Sequence, residues 1–506
     1  GVVTTDKPPL FFWLIALLSL PQGTVTPFSA RLPSALAALG TLFLTMRLGR
    51  RFFGPRAAVV SGVILATSFM FWDKARWSQT DSLLCFLIWV ALSAFEAFRA
   101  GDADGRRAGL LFWLAAALAV LAKGPVGFML PLGIAVVVLA ADGGLRRWRE
   151  LAPGLGPMLF VAVLGAWIAC VEVIGPPEYS AWGALREHFI DRGIHGLHHK
   201  QPVWYFFERL PPSLLPWTGL VPGALLLAWR RRESADRFLM AVVLFVIAFF
   251  SISTEKRELY ALPSLPAFAL LAAGLVAMAA GWSEPAQARP GTTTGVSSRW
   301  VFIGQGIVGG LLALVAVAMP LAAGRFPEIP RALTLPPAAV LLAAGAATMA
   351  FSWRRHIVGA IGAPALGTAL LYLIIVTTIY PALEPSKSAR PFTVLIQETT
   401  ARSRAAGSPV LCYRLDNLPE HFAFHGDGLY TAETDDWQIL AAHLDRPRQM
   451  FAVVHGGELD PLPAALKARL YVVAETRLAR RDVLLVTNLP DPGARPLSEA
   501  LAGTDS

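Results

Sequence analysis

Charged and aromatic side chains that are suited to binding a phosphate group recur at the ends of the apolar segments of this chain. Ionisable side chains are costly at membrane depth, so those at the ends of apolar helices are candidates for a functional site. The candidates on one predicted side are Asp6, Lys7, Asp73, Arg76, Asp81, Lys123, Glu187, His188, Arg192, His198, His199, Lys200, Lys256, Arg257 and Tyr260. Because they share that side, we expect them to form one site.

Lys123 lies between two apolar segments in "AVLAKGPVGF". Gly124 allows the backbone to approach a ligand closely, and Pro125 suits the first turn of the next helix, whose N-terminus favours anions. This pattern predicts that Lys123 contacts a lipid phosphate. The alternative is a lysine that only extends its ammonium to the membrane interface, and the sequence favours neither.

Asp81 opens a predicted helix in "ARWSQTDSLL". Its simplest structural role is that of an N-cap, which Thr80 or Ser78 could share.

The stretch "SISTEKRELYALPSLP" concentrates charge at the end of another apolar segment. If its local turn is helical, Lys256 and Tyr260 share a face and could hold one phosphate together. Charge at the surface of a helix end is the alternative explanation.

The segment 175–211 is rich in His, Arg and aromatic residues. Its histidines lack the spacing of a zinc-protease motif, and the cationic cluster suits anionic lipid head groups. The sequence contains no P-loop, dinucleotide-binding fingerprint or nucleophile elbow, so it does not support cytosolic nucleotide chemistry.

The composition predicts an α-helical polytopic membrane protein. The 506 residues are 55% hydrophobic and 16% charged, and the mean hydropathy is +0.53. The net charge of +9 comes from short basic clusters between apolar segments, a pattern typical of cytoplasmic loops. We therefore expect no nucleic-acid partner.

Twelve membrane segments are predicted from runs of roughly 20 apolar residues. They are 27–48, 57–72, 80–98, 109–122, 126–141, 155–174, 212–229, 237–253, 261–282, 300–323, 335–352 and 357–380. Basic loops such as "MRLGRRFFGPR" and "WRRRESADR" predict the cytoplasmic side, so the candidate site is predicted on the periplasmic side of a bacterial inner membrane.

Three regions follow from this topology. Residues 1–26 are predicted to be a periplasmic juxtamembrane segment, and residues 27–380 a membrane domain with a periplasmic loop at 175–211. Residues 381–506 are predicted to be a small periplasmic α/β domain. Its strands are expected in "SPVLCYRL", "RQMFAVVHG", "ARLYVVAE" and "RDVLLVTNL".

Several motifs, in order, resemble the membrane-embedded C-class (GT-C) glycosyltransferases that use polyprenyl-phosphate sugars. The motifs are "DKPPLFFWLIAL", "ARWSQTDSLL", "AKGPVGFMLPL", "REHFIDR…QPVWYFFERLPPSLLPW" and "EKRELYALPSLPAFALL". They are most similar to those of the bacterial lipid A aminoarabinose transferase group, relatives of the protein O-mannosyltransferases. The resemblance covers residues 1–270 and implies a GT-C fold.

The resemblance implies an inverting transfer of a sugar, such as 4-amino-4-deoxy-L-arabinose, from undecaprenyl phosphate to a periplasmic-face acceptor such as a lipid A phosphate. It implies catalytic roles for Lys7, Asp81 and Lys123. Substrate-binding roles are implied for Arg76, Arg192, Lys256, Arg257 and Tyr260. Asp6 and His188 match positions that hold a divalent metal, zinc or magnesium, in relatives.

The resemblance also implies a catalytic acidic residue in an Asp-Glu-x-x-Tyr-like motif, after a first membrane helix and upstream of Lys7. The printed sequence contains neither feature. We therefore expect an N-terminal extension with a thirteenth membrane helix, and poor or no activity of these 506 residues without it.

Other functions remain open at this stage. The acceptor could be a protein, another glycolipid or a cell-wall polymer. A transporter for a lipid-linked anion would also gather cations in a membrane cavity, although transporters place such residues near the midplane. A membrane scaffold with a periplasmic binding domain would not explain Lys123 or the "EKRELY" run.

Overall fold

The computed structural model describes most of the chain as two compact units. The described residues are 8–102, 104–151, 154–175, 201–253, 256–282, 294–325, 330–405, 407–415, 422, 425, 426, 429, 431–459, 462–478, 481–490 and 493–497. The first unit comprises Gly1–Met319 and Ala338–Leu371, and the second comprises Pro320–Pro337 and Tyr372–Ser506.

Helices form the first unit almost entirely. In chain order they are α1 (Leu10–Ser19), α2 (Pro27–Phe53), α3 (Pro55–Thr67), α4 (Phe69–Ala75), α5 (Thr80–Arg99), α6 (Gly105–Lys123), α7 (Val126–Ala141), α8 (Trp148–Leu151), α9 (Leu155–Ile174), α10 (Tyr205–Ser213), α11 (Val221–Arg231), α12 (Ser234–Ile252), α13 (Leu265–Ala279), α14 (Thr294–Ala322), α15 (Arg331–Trp353) and α16 (Ile357–Ile374). The last three helices, α14 to α16, each contain residues of both units.

Among the described residues, nine helices are long and apolar enough to cross a membrane, and up to eleven if two bent pairs each count as one span. The bent pairs are α3 with α4 and α10 with the helical segment Thr218–Arg231. Helix α7 is apolar but shorter, with 16 residues. Each of the twelve predicted segments coincides with one of these elements, which confirms the predicted polytopic membrane class.

Two central elements organise the first unit. The apolar window of α5 is 78% buried and that of the segment Glu258–Ala279 is 100% buried, whereas that of α9 is only 6% buried. Helix α5 packs against α2 and α6, and the segment 258–279 packs against α2, α3 and α12. Residues carried by α5 and by this segment are therefore held in the most constrained part of the unit.

A buried ion network joins the helix ends farthest from Asp81. The guanidinium of Arg99 bonds both carboxylate oxygens of Glu96, at 2.7 and 2.9 Å, and bonds Asp142 at 2.9 Å. Asp142 also accepts a hydrogen bond from Arg237 at 2.8 Å, and Arg99 donates to the Ser234 carbonyl. The network thereby links the C-termini of α5 and α7 to the N-terminus of α12.

The second unit contains a six-stranded sheet with helices α17 (Tyr380–Lys387), α18 (Arg390–Ala405), α19 (Trp437–Leu444) and α20 (Ala464–Lys467). The strands are β1 (Val410–Tyr413), β2 (Thr431–Thr434), β3 (Phe451–His455), β4 (Tyr471–Leu478), β5 (Arg481–Thr487) and β6 (Arg495–Pro496). They lie in the order β2-β1-β3-β5-β4-β6. Strands β1 to β3 are mutually parallel, and β5 is antiparallel to β3 and β4.

The predicted α/β fold of this C-terminal region is confirmed. The four predicted strands correspond to β1, β3, β4 and β5. The apolar runs of β1 and β3 are almost continuously buried, whereas β4 is only partly buried. Strands β2 and β6 were missed because "TAET" and a two-residue strand carry no apolar run.

The buried His443 predicts that the second unit loses stability as the pH falls. Burial lowers the pKa of His443 below its ordinary 6.5, while its Nε2 lies 3.2 Å from the Phe451 carbonyl. Because the unfolded chain binds this proton more readily, stability is lost as pH falls below 6.5. We expect amides of β3 to lose hydrogen-exchange protection between about pH 7.5 and about pH 5.5, after correction for intrinsic rates.

The matched variant for this experiment is His443→Gln, whose amide can still donate to the Phe451 carbonyl but does not titrate. We expect its β3 protection to be nearly independent of pH over the same range. An unchanged pH dependence in the variant would assign the effect to another group.

Candidate active site

Lys123 and Asp81 form the centre of the candidate site. Helix α6 ends at Lys123 because Gly124 adopts a φ of +80°, a left-handed conformation that favours glycine. Asp81 lies in the first turn of α5, and its Oδ1 accepts a short hydrogen bond from the Lys123 ammonium. The side chains are 25% and 10% exposed, so the charged pair is held in a largely enclosed position.

This contact bears on the alternatives that the sequence left open. The N-cap of α5 is Gln79, and no side-chain cap bond forms there, so the N-cap interpretation of Asp81 is wrong. Lys123 is bound to a carboxylate on another helix, and its contact with a lipid phosphate stays a prediction. A close contact between residues that lie far apart in the chain is visible only in the tertiary structure.

Tyr260 completes this cluster from a third element. It lies on the 3₁₀ helix Glu258–Ser264, which leads directly into α13. The Lys123 ammonium lies 5.0 Å from the centre of the Tyr260 ring, within the range of a cation–π interaction. The ring also packs at 5.0 Å against Phe250 of α12. Three separate elements therefore converge on the Lys123 ammonium.

The cluster has the chemistry of an anion site. A lysine ammonium has three N–H donors, and one of them bonds Asp81. The Tyr260 ring faces the ammonium from another direction, and the Lys123 side chain as a whole is 25% exposed. A phosphate oxygen can therefore bind Lys123 while Asp81 orients the ammonium.

Arg76 lies on the segment between α4 and α5, the helix that carries Asp81. Its guanidinium stacks 3.7 Å over the Trp72 ring and lies 3.4 Å from Asp73. Asp73 also accepts hydrogen bonds from Lys74 at 2.9 Å and from the Trp77 indole at 3.0 Å. Asp73 therefore orders this segment, and Arg76 is held close to its own neighbours in the chain.

Lys74 is a residue that the sequence interpretation missed. Its ammonium bonds Asp73 and lies 3.6 Å from Glu258 on the 3₁₀ helix, so it bridges two elements of the site. In the sequence, "WDKARW" reads as a local cluster of charge. Its only usable signal was its position between an apolar helix and the segment that carries Asp81.

Lys256 occupies a different place from the one predicted. Residues 256 and 257 precede the 3₁₀ helix, so the helical turn that would align Lys256 with Tyr260 does not form. Instead the Lys256 ammonium is buried and donates to the backbone carbonyls of Gln201 and Ser253. Lys256 thus connects the end of α12 to the start of the segment that leads into α10.

Arg257 is exposed, and among the described residues it does not join the Lys123 cluster. The surface-charge explanation of the "EKRELY" run therefore fits Arg257 and does not fit Lys256. The structure thus brings together Asp81, Lys123 and Tyr260, with Arg76 on the adjoining segment.

Eight of the candidate residues lie outside the described residues: Asp6, Lys7, Glu187, His188, Arg192, His198, His199 and Lys200. Their proposed roles stay predictions. Within the described parts of the chain, no group of three or more His, Cys, Asp or Glu residues could hold a metal ion. The predicted divalent metal therefore also stays a prediction that depends on Asp6 and His188.

Comparison with known proteins defines the class of protein first. The fold matches the crystal structures of ArnT from Cupriavidus metallidurans in the apo state and bound to undecaprenyl phosphate. Each has a TM-score of 0.73 and 22% sequence identity, and the match covers 96% of this chain and 88% of that chain. The predicted GT-C membrane fold is therefore confirmed.

Sequence similarity links part of the chain to two groups of transferases. Residues 6–170 match the family model for dolichyl-phosphate-mannose-protein mannosyltransferase, a range that includes Asp81 and Lys123. The chain is 32% identical over 282 residues to the undecaprenyl phosphate-alpha-4-amino-4-deoxy-L-arabinose arabinosyl transferase of Pseudomonas aeruginosa LESB58. It is 30% identical over 283 residues to the transferase of the same name in Edwardsiella ictaluri.

Each alignment covers 54% of this chain and 50% of the relative, so the chain spans about half the length of the curated relatives it matches. These similarities confirm the predicted resemblance to the aminoarabinose transferase group.

Proposed function

We propose that the protein is an inner-membrane glycosyltransferase that moves a sugar from undecaprenyl phosphate to an acceptor at the periplasmic face. The observation that carries this proposal is the Lys123 ammonium held between Asp81 and Tyr260, within a fold like that of ArnT. An oriented cation whose side chain is 25% exposed suits a phosphate leaving group.

The reaction forms one bond and breaks one bond at the anomeric carbon of the sugar. An acceptor oxygen attacks that carbon, and the bond to the undecaprenyl phosphate oxygen breaks, so the electron pair remains on the phosphate. Negative charge therefore grows on the leaving phosphate in the transition state. A pre-oriented cation in an enclosed site stabilises the leaving phosphate in the transition state more than it stabilises the phosphate of the bound substrate.

Lys123 is the described residue best placed for this role. Asp81 keeps the ammonium in one position, and the Tyr260 ring limits the directions in which it can move. An acceptor phosphate is already an anion at neutral pH, so it needs little help from a general base. Positioning and charge stabilisation then supply most of the rate.

The names of the relatives support 4-amino-4-deoxy-L-arabinose on undecaprenyl phosphate as the first donor to test. A lipid A phosphate, which the motif resemblance implies, is the first acceptor to test. The periplasmic orientation is supported by the arginines at the opposite ends of the same helices. Arg99 ends α5 and Arg107 lies in the first turn of α6, whereas Asp81 and Lys123 lie at the other ends. Basic residues concentrate on the cytoplasmic side of membrane proteins.

Mass spectrometry of lipid A tests this function. The complete open reading frame that encodes this sequence is expressed in a strain that makes the undecaprenyl-linked aminoarabinose donor but lacks its own transferase. We expect lipid A to gain a mass of one pentosamine when the gene is present and no such gain with an empty vector.

Absence of that gain, together with normal amounts of membrane-inserted protein, would reject the aminoarabinose assignment. A hexose-sized gain on lipid A, or a sugar on a periplasmic protein, would retain the glycosyltransferase class and change the substrate. Undecaprenyl-linked sugar that moves across the membrane without transfer would instead support a transporter.

A further inference from the structure

The 3₁₀ helix that carries Tyr260 contains an unusual break in backbone hydrogen bonding. Pro266 follows its last residues, and proline has no N–H. In a helical chain that N–H would bond the Pro263 carbonyl in 3₁₀ geometry or the Leu262 carbonyl in α geometry. The sequence "LPSLP" therefore removes this donor at the junction with α13. The Leu262 carbonyl still accepts from the Leu265 N–H, whereas the Pro263 carbonyl loses its 3₁₀ donor.

Helix α5 supplies donors to both carbonyls from its side chains. The Trp89 indole N–H donates to the Pro263 carbonyl at 2.9 Å. The Cys85 thiol lies 3.8 Å from the Leu262 carbonyl, within hydrogen-bond distance for sulfur. Trp89 and Cys85 are both essentially fully buried, so water cannot substitute for them.

These donors lie on the same stripe of α5 as Asp81. Positions 81, 85 and 89 are separated by four residues, which places them on one face of an α-helix. One stripe of one helix therefore holds the Lys123 ammonium at its first turn and the Tyr260-bearing helix one and two turns further on.

We propose that Trp89 is a positioning residue that sets the distance between the Tyr260 ring and the Lys123 ammonium. Its hydrogen bond anchors the end of the 3₁₀ helix, three residues after Tyr260, to the helix that orients Lys123. The effect of Trp89 on catalysis rests on the proposed function, whereas its effect on the position of Tyr260 does not.

Fluorine NMR of the full-length protein in detergent tests the positional role directly. All tyrosines are labelled with 3-fluorotyrosine, and the Tyr260 signal is assigned as the one missing in Tyr260→Phe. We expect Trp89→Phe to shift or broaden the Tyr260 signal. In a protein that already carries Trp89→Phe, we expect the additional change Lys123→Met to leave the Tyr260 signal where it is. The phenyl ring retains most of the packing, including the edge contact with Phe238, but cannot donate.

Trp217→Phe is the matched control. Trp217 is equally buried, and its indole donates to Thr67 at 2.9 Å, so the variant loses the same ring volume and the same kind of hydrogen bond. We expect its Tyr260 signal to match the parent protein. An unchanged signal in Trp89→Phe, or an equal change in both variants, would overturn the proposal.

A second variant separates positioning from general loss of stability. Pro266→Ala restores a backbone N–H that can bond the Pro263 carbonyl. We expect the double variant Trp89→Phe/Pro266→Ala to recover the parental Tyr260 signal, and a failure to recover it in a folded double variant would count against the proposal.

Kinetics provide an independent measurement if transfer is observed. We expect Trp89→Phe to lower kcat on the order of tenfold or more, with the KM for the donor changed by less than about twofold, because geometry and not ground-state binding is altered. If no sugar is transferred by the parent protein, the NMR result still decides the positioning role. Failure of the proposed function and failure of the positioning proposal can therefore be distinguished.

Discussion

Replacement of Lys123 by Met is expected to lower sugar transfer by about 100- to 1000-fold while leaving membrane insertion intact. Loss of a single pre-oriented donor to developing charge has an effect of this size in enzymes. The methionine side chain keeps the apolar stem of the lysine and removes only the ammonium that Asp81 and Tyr260 hold. The measurement is the initial rate of pentosamine transfer to lipid A by membranes that contain equal amounts of each protein.

The matched control is Arg107→Gln, which removes one positive charge from the exposed opposite end of the same helix. We expect its transfer rate to stay close to that of the parent. Retained activity in Lys123→Met, or an equal loss in Arg107→Gln, would contradict the role of Lys123 at the leaving phosphate.

The variant Asp81→Asn tests the function of the ion pair between Asp81 and Lys123. Asparagine preserves the shape of the side chain but holds the ammonium less firmly, so we expect an intermediate loss of kcat. The double variant Asp81→Asn/Lys123→Met should be no slower than Lys123→Met alone, since Asp81 acts through the ammonium. Additive losses would show that Asp81 has a separate role at the substrate.

Replacement of Arg99 by Met is expected to have the largest effect on stability. It would leave the Glu96 carboxylate, which is 3% exposed, without its bidentate partner. Removing one partner of a buried ion pair typically costs about 3–5 kcal/mol. The measurement is the unfolding midpoint of the purified protein in mixed detergent micelles of increasing SDS content, followed by circular dichroism.

The control pair for this experiment is Arg51 and Asp102, which form a 2.7 Å ion pair with side chains 28% and 62% exposed. We expect Arg51→Met to cost no more than about 1 kcal/mol, because solvent screens an exposed pair. Glu96→Gln/Arg99→Met should recover part of the lost stability, since no buried charge then remains unpaired. Equal costs for Arg51→Met and Arg99→Met would argue against a buried network.

Hydropathy and charge were sufficient to predict the membrane class and the approximate positions of its segments, although the predicted segments 57–72 and 212–229 fall on bent helix pairs. A run of roughly 20 apolar residues is a one-dimensional property that each helix carries by itself. The predicted segment 80–98 accordingly became α5, Thr80–Arg99, and 155–174 became α9 with the same bounds. The strands of the C-terminal sheet were recognised for the same reason, except for β2 and β6, which lack an apolar run.

The membership of the site was only partly predictable. Lys123, Asp81 and Tyr260 stood out as unusual residues at the ends of apolar segments, and motif order linked them to one family. Their mutual contacts, the burial of Lys256 against two carbonyls and the bridge from Lys74 to Glu258 depend on how separate helices pack. No local pattern encodes the direction in which a side chain at a helix end points.

What the sequence by itself determined is therefore the membrane fold, the C-terminal α/β fold and the set of candidate residues, because apolar run length and motif order are local properties. Only the tertiary structure decided that Asp81 binds Lys123 instead of capping its own helix. It also decided that Trp89 replaces the donor that Pro266 lacks. Both results require two segments to meet in space, and the energy of such a contact depends on distance and burial that a linear pattern does not contain.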